Sequence, residues 1–221
     1  MRKLLLTTAI AWAAVSSAAA AQSAESIINR AADAYGRLGS MRAEFRQTLT
    51  NPLTGSTQTT SGVILRKKPN LLSITFDGGD RVVADGATLW AYLPSSVPGQ
   101  VMRMPYSMTS AGSVDPADQF LTSPLKRFTV TSAGTATVAG RPTHIVTLVP
   151  KRANSQFRSA KVWVDDADSS IRQFDVEASN GLRRRVIVTR FVANPALTSS
   201  SFRFSPPKGA KIVDQQTLAD F

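Results

Sequence analysis

The chain has 221 residues, 43% hydrophobic and 19% charged, and no cysteine, which excludes disulfide scaffolds, cysteine nucleophiles and thiolate metal sites. Lys and Arg number 26 against 15 Asp and Glu, and the aromatic share is an ordinary 7%. That balance belongs to a globular chain with a real core, not to a disordered tail or a membrane bundle.

In chain order, the first 21 residues read as a secretory signal peptide. Met1-Arg2-Lys3 is a basic start, Leu4 to Val15 is apolar apart from Thr7 and Thr8, and Ala19-Ala20-Ala21 supplies the small residues of a cleavage site. Cleavage leaves one expected domain, 22–221, and no later run approaches the ~20 apolar residues of a membrane span. The mature chain is expected to be exported, soluble and monomeric, and the lack of cysteine excludes a lipid anchor of its own. Without Arg2 and Lys3, 24 basic residues face 15 acidic ones, a net charge of +9. Such a charge favours anionic partners or surfaces and says nothing about fold.

Ser23 is placed as a helix N-cap with Glu25 in the first turn, and Ile27, Ile28, Ala31, Ala34, Tyr35 and Leu38 recur at helical spacing until Gly39. From Met41 the period becomes two. Met41, Ala43, Phe45 and Leu49 alternate with Arg42, Glu44, Arg46 and Thr48, which predicts the first strand.

Further strands are predicted at 56–66, 70–76, 80–84, 87–93, 100–104, 128–132, 144–150, 159–165, 171–178 and 182–191, about eleven in all. Turn signals such as Asp77-Gly78-Gly79, Asp85-Gly86 and Asn180-Gly181 separate them, so the expected topology is an antiparallel meander. A twisted sheet of that width curls, closes or splits. The long interruption from Pro94 to Lys126 is expected to be functional and to hold a short helix, with Asp115 as N-cap, Pro116 at the first helical position and Asp118 in the first turn.

Catalytic signals are sparse. His144, the only histidine, sits in an apolar strand pattern without visible triad or zinc partners. Ser123-Pro124-Leu125-Lys126 fits the S-x-x-K pattern of penicillin-interacting enzymes, but Ser205-Pro206-Pro207-Lys208 fits it too, and neither companion motif is present. Counting Asp166 as position one of a calcium loop puts Ile171 where the turn requires glycine, so residues 165–168 read as a hairpin turn. Arg183-Arg184-Arg185 and the other basic runs lack interleaved aromatics, and an exported chain has no nucleic-acid partner; they read as a solvated sheet face. No metal or cofactor is expected, and no enzymatic activity.

Apolar surface is what remains. Leu72, Ile74 and Phe76 share one strand face, with Leu71, Ser73 and Thr75 on the other. A wide curved sheet with only one opening helix and one short loop helix to cover its concave side leaves room for a cavity, and the methionines of the long loop, Met102, Met104 and Met108, suit a lid over a variable apolar ligand.

Four segments in order carry a resemblance: Phe45-Arg46-Gln47, the run from Gly62 to Leu72, the run from Asp85 to Pro94, and Phe202 to Gly209. Together, behind a signal peptide, they resemble the periplasmic outer-membrane lipoprotein carriers, the LolA family. The resemblance implies a mainly β fold: an incomplete, half-open antiparallel barrel of about eleven strands, with an N-terminal helix and short loop helices acting as a lid over a hydrophobic cavity. It implies a periplasmic carrier that takes triacylated lipoproteins from an inner-membrane ABC-type release complex and hands them to an outer-membrane acceptor lipoprotein. A periplasmic lipid-sensing regulatory domain of related half-barrel fold is the alternative reading.

The candidate cavity residues are then Phe45, Leu72, Ile74, Phe76, Trp90, Met102, Met104, Phe120 and Leu121. One departure stands out. The arginine that latches the family's lid aligns with Lys68, and the aromatic residues that commonly follow align with Leu72 and Ile74. A lysine offers a point charge where arginine offers a planar fork, so a weaker latch to carbonyls of the 115–126 segment is expected.

Overall fold

The protein was analysed as a computed structural model, which describes residues 23–106, 115–152 and 157–214. The predicted signal peptide and Met108 lie outside the described residues. Helix α1, Ala24–Arg37, starts where the sequence places it: the Ser23 hydroxyl accepts the Ser26 N–H at 3.1 Å, and Glu25 occupies the first turn. Ile27, Ile28, Ala31 and Tyr35 form its buried side.

Twelve strands follow in one open sheet: β1 Ser40–Thr50, β2 Thr57–Lys67, β3 Leu71–Phe76, β4 Arg81–Asp85, β5 Thr88–Tyr92, β6 Gln100–Pro105, β7 Phe128–Val138, β8 Arg141–Pro150, β9 Phe157–Asp165, β10 Ile171–Ala178, β11 Arg183–Ala193 and β12 Lys211–Asp214. The half-open sheet under helices agrees with expectation, and the strand count gains one. β12 pairs parallel to β6, so the sheet is not wholly antiparallel. Its four residues were too few to show a period.

The spatial order is β12-β6-β5-β4-β3-β2-β1-β11-β10-β9-β8-β7. Two meanders therefore meet where β1 pairs with β11. β6 lies near one edge of the sheet and β7 forms the other, so the chain between them must cross the whole sheet. That crossing holds α2, Asp118–Leu121, and α3, Pro124–Arg127, and both pack on α1. The lid position follows from the topology.

The helix expected to start at Pro116 begins two residues later, at Asp118. Asp115 does not cap it; one carboxylate oxygen accepts the Ala117 N–H at 3.0 Å and the other is engaged elsewhere. The main core lies between the concave sheet face and these helices, and includes Ile28, Ile64, Leu72, Ile74, Phe120 and Val162.

A smaller core covers the outer face of one meander. Cross-strand pairing places Ser73, Val83, Trp90 and Arg103 in one row of that face. Over it runs the segment after β11, whose short 3-10 turn, Ser199–Phe202, packs on β3 and β4. Phe202 is fully buried there, and Val83 and Ser73 are buried as well. Alternation put Ser73 on a face away from the cavity, and that face is covered too.

Candidate functional site

Between α1 and the sheet lies a cavity of about 390 Å³. Ala31, Ala34, Tyr35 and Leu38 form the helix wall; Met41, Ala43 and Phe45 of β1, Ile64 of β2, Phe174 of β10 and Val186, Val188 and Phe191 of β11 form the sheet wall. Pro116, Ala117 and Leu121 close it from the crossing segment. The lining is mostly apolar, with Tyr35 and Asp115 as polar groups in the wall, the signature of a site whose affinity comes chiefly from removing hydrocarbon from water. A polar rim of Arg37, Asp168, Ser169, Ser170 and Asn194 bounds it.

Of the sequence-derived candidates, Phe45 and Leu121 line this cavity. Leu72, Ile74, Met104 and Phe120 belong to the buried core that continues its walls, and Phe76 packs against that core with its ring edge-on to Phe45 at 5.5 Å. Met102, half-buried on β6, pairs with Ala91. Trp90 faces away. Its neighbour Leu89 takes the core side, and strand alternation sends the indole to the outer face. There it donates to Asp85 at 3.0 Å and packs against Phe204 at 5.8 Å between ring centroids.

Lys68 does not reach carbonyls of the 115–126 segment; its ammonium donates to the Gly36 carbonyl in the last turn of α1. The contact that ties the crossing segment to the sheet joins Asp115 and Tyr35, read from the sequence only as a helix cap and a helix-face residue, to Arg66, which the sequence reading did not single out. Arg66 Nε lies 3.1 Å from Asp115 Oδ2, the Tyr35 hydroxyl donates to the same oxygen, and the guanidinium sits 4.5 Å from the Tyr35 ring centroid. One carboxylate thus joins α1, β2 and the lid. Arg66 occupies an inward position two residues from Ile64, opposite Met41 and Leu72. A charge on the apolar face of a strand was the available signal.

The environment shifts the titrations. Burial, then the Asp115 charge, pushes the Tyr35 hydroxyl well above its ordinary value. Burial raises Asp118 to about 6, with Asp115 adding to the rise and Arg66 and Lys68 opposing it. Tyr106 is pushed up chiefly by burial, then by Asp115 and Asp118.

The β9–β10 turn holds the rim. Burial alone would raise the Asp165 carboxyl, but hydrogen bonds from Arg141, the Ala167 N–H and Arg172 outweigh it and bring it to about 2. Arg172 also bridges to Asp168 at 2.8 Å. Residues 165–168 therefore work as an arginine-tied hairpin turn. His144 Nε2 stands 3.5 Å from Asp166 and is partly exposed.

Residues 37–205 match the family described as outer membrane lipoprotein carrier protein LolA. The chain belongs to this family. Among the LolA carriers, it is 24% identical over 225 residues to the outer-membrane lipoprotein carrier protein of Serratia proteamaculans, covering 98% of this chain and 100% of that one. With the Haemophilus influenzae carrier it shares 28% over 180 residues, 80% of this chain and 81% of the other. An uncharacterized conserved protein from Thermus thermophilus has the same fold, with a TM-score of 0.56 at 15% identity over 88% of this chain and 100% of that one. The LolA relatives are named as carriers, not as enzymes. No helix among the described residues is long and apolar enough to cross a membrane.

Proposed function

We propose that this member of the LolA family is a periplasmic carrier that shields the acyl chains of lipoproteins and moves them from an inner-membrane ABC-type release complex to an acceptor at the outer membrane. The observation that carries the reading is the apolar cavity closed by α1 and the crossing segment over an open sheet. Each methylene removed from water is worth ~0.8 kcal/mol. Three exposed acyl chains would therefore hold a lipoprotein to its membrane, and transit requires a surface that hides them.

A carrier must also let go. A cavity near 390 Å³ sits at the small end of single-ligand sites, so three chains require the lid to lift. Release follows when the helices regain their contacts with the sheet, because closure competes with cargo for the same apolar wall. No catalytic group takes part, and the export signal at residues 1–21 supports the compartment.

The test is lipoprotein release from spheroplasts. The mature protein should move a triacylated lipoprotein into the soluble fraction, and Phe45→Asp, which puts a carboxylate in the apolar wall, should abolish the transfer. Equal release by Phe45→Asp and the unmodified protein would sink the cavity as the cargo site.

A further inference from the structure

Arg66 is the least satisfied charge in the lid region. A guanidinium carries five N–H donors, yet Arg66 Nη1 is buried with no hydrogen-bond partner among the described residues, while Nε meets only the lid carboxylate of Asp115 at 3.1 Å. Its side chain is 14% exposed and that of Asp115 7%. Asp115 and Tyr35, which cover Arg66, both line the cavity.

This arrangement couples the lid to what enters beneath it. Lifting the crossing segment carries Asp115 away, and a buried guanidinium left without a counter-charge is strongly disfavoured. Opening is favourable only if another oxygen acceptor takes the vacated place. A bare hydrocarbon brings none. An acyl chain that ends in an ester, amide or carboxylate does.

We infer that Arg66 is the head-group site of the cavity, where a carbonyl or carboxylate oxygen of an entering acyl chain exchanges with Asp115 as the lid lifts. The inference rests on the lipid-carrier reading and adds to it a chemical selection: chain length supplies affinity, and the head oxygen decides whether the lid opens. The unpartnered Nη1 gives the incoming head a donor that Asp115 does not occupy. Asp115 is accordingly a competitor of the ligand, and its removal should tighten binding to chains that carry an acceptor.

The experiment displaces an apolar fluorophore from the mature protein with two amphiphiles of equal chain and opposite head, hexadecanoate and hexadecyltrimethylammonium, and with a triacylated cysteinyl peptide. Wild type should prefer hexadecanoate by about tenfold or more, the usual worth of a hydrogen bond to a charged group. Arg66→Met should reduce the preference to within about threefold, and Arg66→Lys, which keeps the charge without the fork, should retain part of it. Asp115→Asn should tighten hexadecanoate. Arg46→Gln and Asp77→Asn, exposed charges removed from the cavity, control for net charge and should leave the preference as it is.

If Arg66→Met does not fold, Asp115→Asn decides: a gain no larger than that of Asp77→Asn overturns the inference. So does an unchanged preference in folded Arg66→Met. Loss of peptide binding in the Arg66 variants assigns the head to a lipoprotein's acylated terminus; loss for hexadecanoate alone assigns it to a free carboxylate. If no ligand displaces the fluorophore from wild type, the carrier reading itself fails and takes this inference with it.

Discussion

Asp118 and Asp165 respond to pH in opposite directions, each because of what surrounds its carboxyl. Asp118 is raised from 3.8 to about 6 in the folded chain, chiefly by burial. The folded state therefore binds its proton more tightly than the unfolded state. Its contribution to stability is complete below 3.8 and is lost as pH rises through about 6. Asp165 is lowered from 3.8 to about 2, so its contribution is present above 3.8 and is lost as pH falls toward 2. Asp118→Asn, which removes the ionisation, should raise the melting temperature at about pH 7.5 and flatten the melting profile between about pH 4 and 6.5. Melting curves across that range check this; a variant that keeps the wild-type slope would show that Asp118 does not set it. Neither shift was legible in the sequence. Asp118 read as a helix-start residue and Asp165 as part of a turn, because the burial that acts on both, and the charges of Arg66 and Arg141, come from parts of the chain remote in sequence.

At the scale of elements, most of the meander was readable because its strands alternate and its turns are marked. β10 spans the predicted 171–178 unchanged. β7 runs to Val138, well past the predicted 132, since Ser-Ala-Gly-Thr at its exposed centre carries no apolar period. The covering of the outer face was not readable: residues 195–210 have neither helical nor strand periodicity, and they are seated by Phe202 and Phe204 and by hydrogen bonds from Ser40 to the Pro195 carbonyl and from Lys67 to the Leu197 carbonyl. Phe202→Ala should cost about 3–5 kcal/mol in urea denaturation, the range for a fully buried aromatic, with affinity for a cavity fluorophore unchanged in the folded protein. A parallel loss of affinity would mean that the two faces are coupled. By the same reasoning Ser73→Asp, which sends a carboxylate under that covering, should destabilise the chain comparably to Ile74→Asp on the other face. Gly62 is a closer constraint. A Cβ there would lie 2.3 Å from the Thr75 carbonyl oxygen and 2.9 Å from the Phe45 ring, so Gly62→Ala should force β2 from β3 and cost about 1–3 kcal/mol by denaturant titration.

For the whole molecule, the decisive arrangement is that α1 and the crossing segment are held to the sheet at two separate places. Lys68 ties the end of α1 through the Gly36 carbonyl, while Arg66 ties the lid through Asp115. The sequence pointed to Lys68 because it precedes the proline of a recognisable segment; Arg66 stayed hidden because its partner lies 49 positions on, across a sheet-wide connection. The two ties predict different motions. The native chain has no cysteine, so spin labels at Thr122→Cys on the lid side and Thr59→Cys on β2 report their separation without further changes. Lys68→Leu should loosen the end of α1 and leave the unloaded lid distance as in wild type. Arg66→Met should broaden that distribution toward longer distances even without cargo, because Asp115 then loses its counter-charge. A triacylated peptide should move the wild-type population in the same direction, since its chains need more room than the closed cavity provides. If Lys68→Leu alone produces the long-distance population, the latch of this carrier lies at the end of α1, and the Arg66–Asp115 pair serves only to position Tyr35 in the cavity wall.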